Sequence, residues 1–181
     1  MSDQLPDYVA PGGQWGRVPD RAALQRLPAA VVHKLDPLNV LLSRVDRTGP
    51  DTFDGVLVPD WDHPLFFEHP LDHVPSMMMV EACRQLGIAI AHLHLGVALG
   101  TVLITTRYEI GFTGFAEVDT DTPVVLHARV TGRVERRGRL HELAIGGHST
   151  QGGRDLGGMS GAFAVFPRET YVRLRRRFHG R

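Results

Sequence analysis

The chain has 181 residues, 43% of them hydrophobic, which suits one domain with a true core and an arm. Lys plus Arg and Asp plus Glu number 20 each, a balance that argues against a general nucleic-acid or membrane-surface role. Cys83 is the single cysteine, so neither an internal disulfide nor a cysteine zinc site is available.

Met1 to Gln14 has neither a basic n-region nor an apolar h-region, so a cytoplasmic location is expected. Residues 1–28 read as an N-terminal arm rich in Pro, Gly and Asp, anchored by Trp15, with one or two helical turns at Arg21–Arg26. Ala29–His33 reads as a short strand and Asn39–Arg47 as a stronger one. Thr48–Asp51 is a turn, and Thr52–Pro59 alternates as the returning strand of a hairpin. A loop rich in His and Pro runs from Asp60 to Pro75. Ser76–His94 follows as the most apolar helix in the sequence. At 100° per residue its polar side chains, Glu81, Arg84, Gln85 and His92, fall within about 100° of one another. These charges also break any membrane span.

Thr101–Ile110 is a β-branched strand, and Gly111–Thr122 a loop with the pair Phe112/Phe115. Pro123–Glu135, Arg139–Thr150 and Leu156–Phe166 are long strands joined by the turns Arg136–Arg139 and Gln151–Asp155. Residues 169–181 form a basic tail with a short helix at Tyr171–Phe178. One apolar helix among hairpin-linked strands needs a curved antiparallel sheet around it. The predicted class is therefore α+β, a hotdog fold over residues 29–168. The small residues Gly157, Gly158, Ser160, Gly161, Ala162 and Ala164 are expected to bring the last strand close to the helix.

Asp72-His-Val-Pro-Ser-Met-Met-Met-Val-Glu-Ala-Cys-Arg-Gln85 resembles the DHVPG…EA.RQ signature of the A-factor biosynthesis (AfsA-like) hotdog family. Val32–Lys34 with Asn39–Leu42 resembles that family's opening strands. His63–Phe67 resembles its HPFF loop, and Phe115–Asp119 a post-helix segment. The resemblance runs from Val31 to Phe166. It implies transfer of a β-ketoacyl group from acyl carrier protein to the hydroxyl of dihydroxyacetone phosphate. Such products lead to γ-butyrolactone and butenolide signals of actinobacteria, a branch of secondary metabolism. No metal or organic cofactor is implied. Pro75 and Glu81 are also spaced as in β-hydroxyacyl-carrier-protein dehydratases, but the place of those enzymes' catalytic His is Phe67 here. Family members usually carry tandem hotdog repeats, and this chain has room for one. A homodimer, or pairing with a second hotdog chain, would replace the tandem. Ser76 stands where the family usually has Gly.

Glu81 has two readings: a general base whose pKa is raised by apolar surroundings, or a structural ion pair with Arg84 or a neighbouring strand. Arg84 would hold a phosphate or the carrier's pantetheine phosphate, and Gln85 would bond a carbonyl or orient Glu81. Alternatively, both simply satisfy Glu81 and the facing backbone. Among His63, His69 and His73, the spacing is loop-like, without a carboxylate at a metal-site offset. His73 is the candidate to polarise a thioester carbonyl or shuttle a proton. The amides of Ser76 and Met77 open the helix and form a candidate oxyanion site, with Ser76 as a cap rather than a nucleophile. Met77, Met78 and Met79 line an acyl tunnel or fill the core. Arg173, Arg175, Arg176 and Arg177 would receive an acidic carrier protein or remain a solvated tail. The reaction expected is acyl transfer. Dehydration or isomerisation, thioester hydrolysis and non-catalytic ligand binding stay open beside it.

Overall fold

The computed structural model describes residues 25–58, 60, 63–67, 71–118 and 121–179. Trp15, His69 and most of Arg21–Arg26 lie outside these. Strands β1 (Leu42–Arg47) and β2 (Thr52–Leu57) form the first hairpin, and helix α1 (Ser76–His94) follows. Then come β3 (Val102–Phe112), β4 (Val124–Arg136), β5 (Arg139–Gln151), β6 (Arg154–Phe166) and α2 (Arg168–His179). The strands make one six-stranded antiparallel sheet in the order β1-β2-β4-β5-β6-β3. β3 therefore crosses the whole sheet to its far edge, and α1 packs across the inner face.

Burial follows the period of each element. Phe53, Gly55 and Leu57 alternate inward along β2, and Leu126, Leu143, Ile145, Phe163 and Val165 do so on β4–β6. Helix α1 meets them with Met78, Met79, Ala82, Leu86, Ile88 and Ile90. This all-round apolar helix is enclosed, as its sequence requires.

Three local expectations are corrected. Ala29–Val32 is a 3₁₀ turn rather than a strand, closed by His33 in the left-handed region (φ 57°). The turn tucks Val31 and Val32 against the core instead of spending them on a sheet edge. Pro37–Asn39 forms a second such turn, with the Asp36 carboxylate accepting from the Leu38 amide at 2.9 Å, so β1 starts at Leu42 rather than Asn39. The close approach of helix and sheet does not come from all the small residues of β6. Gly158, Ser160, Ala162 and Ala164 alternate with the more buried Gly161, Phe163 and Val165.

The tight contact lies on the helix. A Cβ at Gly87 would sit 2.6 Å from the ring of Phe163, which is itself buried. Helix propensity alone favours Ala over Gly by about 1 kcal/mol. Overpacking costs about 1–3 kcal/mol. Gly87→Ala is therefore expected to lower the melting temperature, and thermal unfolding followed by circular dichroism checks the sign.

Candidate functional site

A cavity of about 400 Å³ opens at the start of α1, lined by His73, Val74, Ser76, Met79, Phe112, Thr113, Gly114, Phe115, Ala116 and Leu156. It is built where two loops are laced together. Val74 N–H donates to Ala116 O at 2.7 Å, and His73 bridges antiparallel to Glu117. Thr113 N–H donates to Leu156 O at 3.0 Å, closing the wall against β6.

His73 is the ionisable side chain among the described residues that line this cavity. Its Nδ1 lies 2.7 Å from Asp72 Oδ1, and the edge of its ring meets Phe115 at a centroid distance of 5.0 Å. The His73 hydrogen bond holds the Asp72 carboxyl below the usual carboxylate range. A neutral ring that donates Nδ1–H to Asp72 carries its lone pair on Nε2, an arrangement suited to accepting a proton.

The helix start differs from the expectation for Ser76. Pro75 occupies the N-cap position, with φ −57° and ψ 136°, and among the described residues no side chain caps the helix. Pro75 O instead accepts from the amides of Met78 (3.0 Å) and Met79 (3.3 Å). Ser76 is the first helical residue, not the cap. Its amide and that of Met77 have no acceptor among the described residues. Two N–H groups without such an acceptor lie at the positive end of the helix dipole, where donors of the kind an oxyanion needs are found. The Met77 side chain points away, 63% exposed, whereas Met79 lines the cavity and Met78 is core.

Glu81 belongs to a different face of α1 and does not line the cavity. Arg84 grips it with two bonds, Nε to Oε2 and Nη2 to Oε1, each 2.7 Å. Lys34 Nζ approaches Oε1 at 2.8 Å, and Gln85 Nε2 donates to the same oxygen at 3.0 Å. The expectation of a raised pKa is reversed. Burial opposes ionisation, but the bonds from Arg84, Lys34 and Gln85 outweigh it and hold the carboxyl at about 2. A carboxylate so well satisfied is a weak base. The same bonds engage Nε and Nη2 of Arg84.

Gln85 is fully buried and ties the helix to the strap before β1. Its Nε2 donates to Asn39 O at 2.7 Å, and its Oε1 accepts from the Leu41 amide at 2.9 Å. His92 continues the stripe, with its Nε2 2.8 Å from that of His33 and its Nδ1 2.8 Å from Val97 O. His63 is buried as loop packing. Its Nδ1 accepts from the Leu65 amide at 3.2 Å, leaving Nε2–H to donate to Asn39 Oδ1, also at 3.2 Å. Cys83 is core, and burial pushes its thiol up to about 11, which keeps it unreactive.

Sequence reasoning joined Glu81, Arg84 and Gln85 by helical spacing, and the structure brings these together. It also grouped His73, Ser76 and Met77 with them, but the fold sets those three apart, at the cavity and the helix start. Two residues it missed are Lys34 and Asp72. Asp72 had a visible signal, its position directly before His73. Lys34 had none, because its partner lies far along the chain.

A family model described as the A-factor biosynthesis hotdog domain matches residues 15–167. The 2-oxo-3-(phosphooxy)propyl 3-oxoalkanoate synthase of Streptomyces virginiae is 35% identical over 79 residues, which is 44% of this chain. The match spans 26% of that enzyme's length. Among solved structures, a hot-dog-like protein from Thermanaerovibrio acidaminovorans superposes with a TM-score of 0.54 at 17% identity, covering 73% of this chain and 95% of that one. A thioesterase superfamily member from Thermus thermophilus gives 0.52 at 15% identity, covering 72% and 90%. At these identities the structural likeness concerns the fold alone.

Proposed function

Because the chain belongs to the A-factor biosynthesis hotdog family, we propose that it transfers a β-ketoacyl group from a carrier thioester to a small hydroxylated acceptor such as dihydroxyacetone phosphate. The observation that supports this reading is the cavity in which the Asp72-oriented His73 and Ser76, at the helix start, share largely apolar walls.

The chemistry follows from that arrangement. His73 Nε2 takes the proton of the acceptor hydroxyl as its oxygen attacks the thioester carbonyl carbon. The negative charge that develops on the carbonyl oxygen is met by the Ser76 and Met77 amides. Collapse of the tetrahedral intermediate breaks the C–S bond, and the departing thiolate takes the proton from His73. An ester and a free carrier thiol result. Val74, Met79, Phe112, Phe115 and Leu156 hold the acyl chain and exclude water, which would otherwise compete with the acceptor.

The working unit in this reading is a dimer of residues 29–168 in the cytoplasm. A second copy would add to β3, which among the described residues pairs only with β6. The basic helix α2, with Arg173, Arg175, Arg176 and Arg177, would offer an acidic carrier protein a complementary surface.

Intact-protein mass spectrometry of a β-ketoacyl carrier protein, with and without dihydroxyacetone phosphate, tests the reading. Acyl loss that requires the acceptor is expected. Loss without acceptor, with release of free acid, would replace transfer by hydrolysis. No loss under either condition would overturn the reading.

A further inference from the structure

We infer that Gln151 is a positioning residue for His73, an inference that rests on the reading of His73 as the acid–base group. Gln151 ends β5 and is 7% exposed. Its side chain does what a neighbouring strand would do. Oε1 accepts from the Glu117 amide at 2.7 Å, and Nε2 donates to Glu117 O at 3.1 Å. The second Nε2 hydrogen reaches Thr122 O at 2.9 Å. One carboxamide thus pins both flanks of the loop that leads into β4, using both of its donors.

The other neighbour of this loop is the His73 segment. Glu117 bridges His73, and Ala116 O accepts from the Val74 amide at 2.7 Å. A short chain of contacts therefore runs from the buried carboxamide, through the backbone of Glu117 and Ala116, to the backbone that aims the His73 ring. The same loop carries Phe115 and Ala116 into the cavity wall. Arg154 reinforces it from outside, with Nη2 donating to Phe115 O at 2.9 Å and lying 3.4 Å from Glu117 Oε1. Thr113 Oγ1, 3.1 Å from Asp155 Oδ2, holds the loop's other end. The β5–β6 hairpin thereby sets the geometry of a site to which its own turn contributes no catalytic group.

Leucine at 151 keeps the bulk but leaves two carbonyls and one amide unmet, so the loop and the His73 backbone lose their common register. Small displacements of an acid–base group are expensive: about 1 Å can cost 10²-fold in rate. The test is steady-state transfer by the full-length protein carrying Gln151→Leu, Gln151→Glu or Arg154→Ala, with exchange of the Val74 and Glu117 amides followed by NMR. Gln151→Leu should lower kcat by about 10–10²-fold with a smaller change in KM, and both amides should exchange faster. In Gln151→Glu the buried carboxyl regains one donor when protonated. Its rate relative to wild type should therefore rise as pH falls, a signature that mere loss of stability does not give.

Wild-type kcat with unchanged exchange in Gln151→Leu overturns the inference and leaves the proposed function standing. If the wild type transfers no acyl group, the functional reading fails, and unchanged Val74 exchange in Gln151→Leu still overturns the mechanical link. If Gln151→Leu does not fold, Arg154→Ala decides on the same two measurements, because its side chain is half exposed and tolerates truncation.

Discussion

Replacing His73 with alanine is expected to lower kcat for acyl transfer by about 10²–10⁴-fold, the usual range for a positioned acid–base group. Stability should change little. The imidazole is a third exposed, and its hydrogen bond goes to the more exposed Asp72. Asp72→Asn should act in the same direction through lost charge: an amide oxygen still accepts from Nδ1–H, but the carboxylate charge that steadies the imidazolium is gone. Single-turnover transfer from a β-ketoacyl carrier protein measures both. An unimpaired His73→Ala would remove the cavity histidine from the mechanism.

Glu81→Gln is expected to cost stability before it costs chemistry. The Glu81 carboxyl stands at about 2 in the folded chain against an ordinary 4.5. A depressed pKa means that the unfolded chain binds the extra proton first. The stabilisation is therefore complete above about pH 4.5 and fades as pH falls toward 2. Its size is on the order of 3 kcal/mol. For a domain of this length that corresponds to about 2–4 °C in Tm per kcal/mol. Arg84 and Lys34 are each about a quarter exposed and regain some hydration, which pulls the loss toward the lower end. Urea unfolding at pH 7 and pH 3 should show a large gap between wild type and Glu81→Gln at pH 7 and a smaller gap at pH 3. A variant of wild-type stability that fails to turn over would restore Glu81 as the base.

These two substitutions separate roles that a one-dimensional reading merges. His73 and Glu81 lie within three helical turns of each other in sequence, and both sit in the segment with the family signature. In the fold they look in different directions. Glu81 turns toward Lys34 and the strap before β1, while His73 turns toward the Phe112–Ala116 loop.

The amino-acid pattern by itself determined the architecture: one helix apolar on nearly every face, strands alternating with a period of two, and hairpin turns between them. Those are local properties, and an apolar helix of that length has few ways to be buried other than within a curved sheet. Helical spacing likewise determined that Glu81, Arg84 and Gln85 meet, because residues three and four apart share a face. Where Lys34 reaches, which loop faces His73, and what holds that loop were decided by tertiary structure alone. Those contacts join residues dozens of positions apart, such as Lys34 with Glu81 and Gln151 with Glu117, and no local periodicity encodes them. The protonation of Glu81 was decided by both. The apolar setting visible along α1 pushes its pKa up, but the bonds from Arg84 one turn on, from Lys34 on a distant strap and from Gln85 together push harder in the other direction.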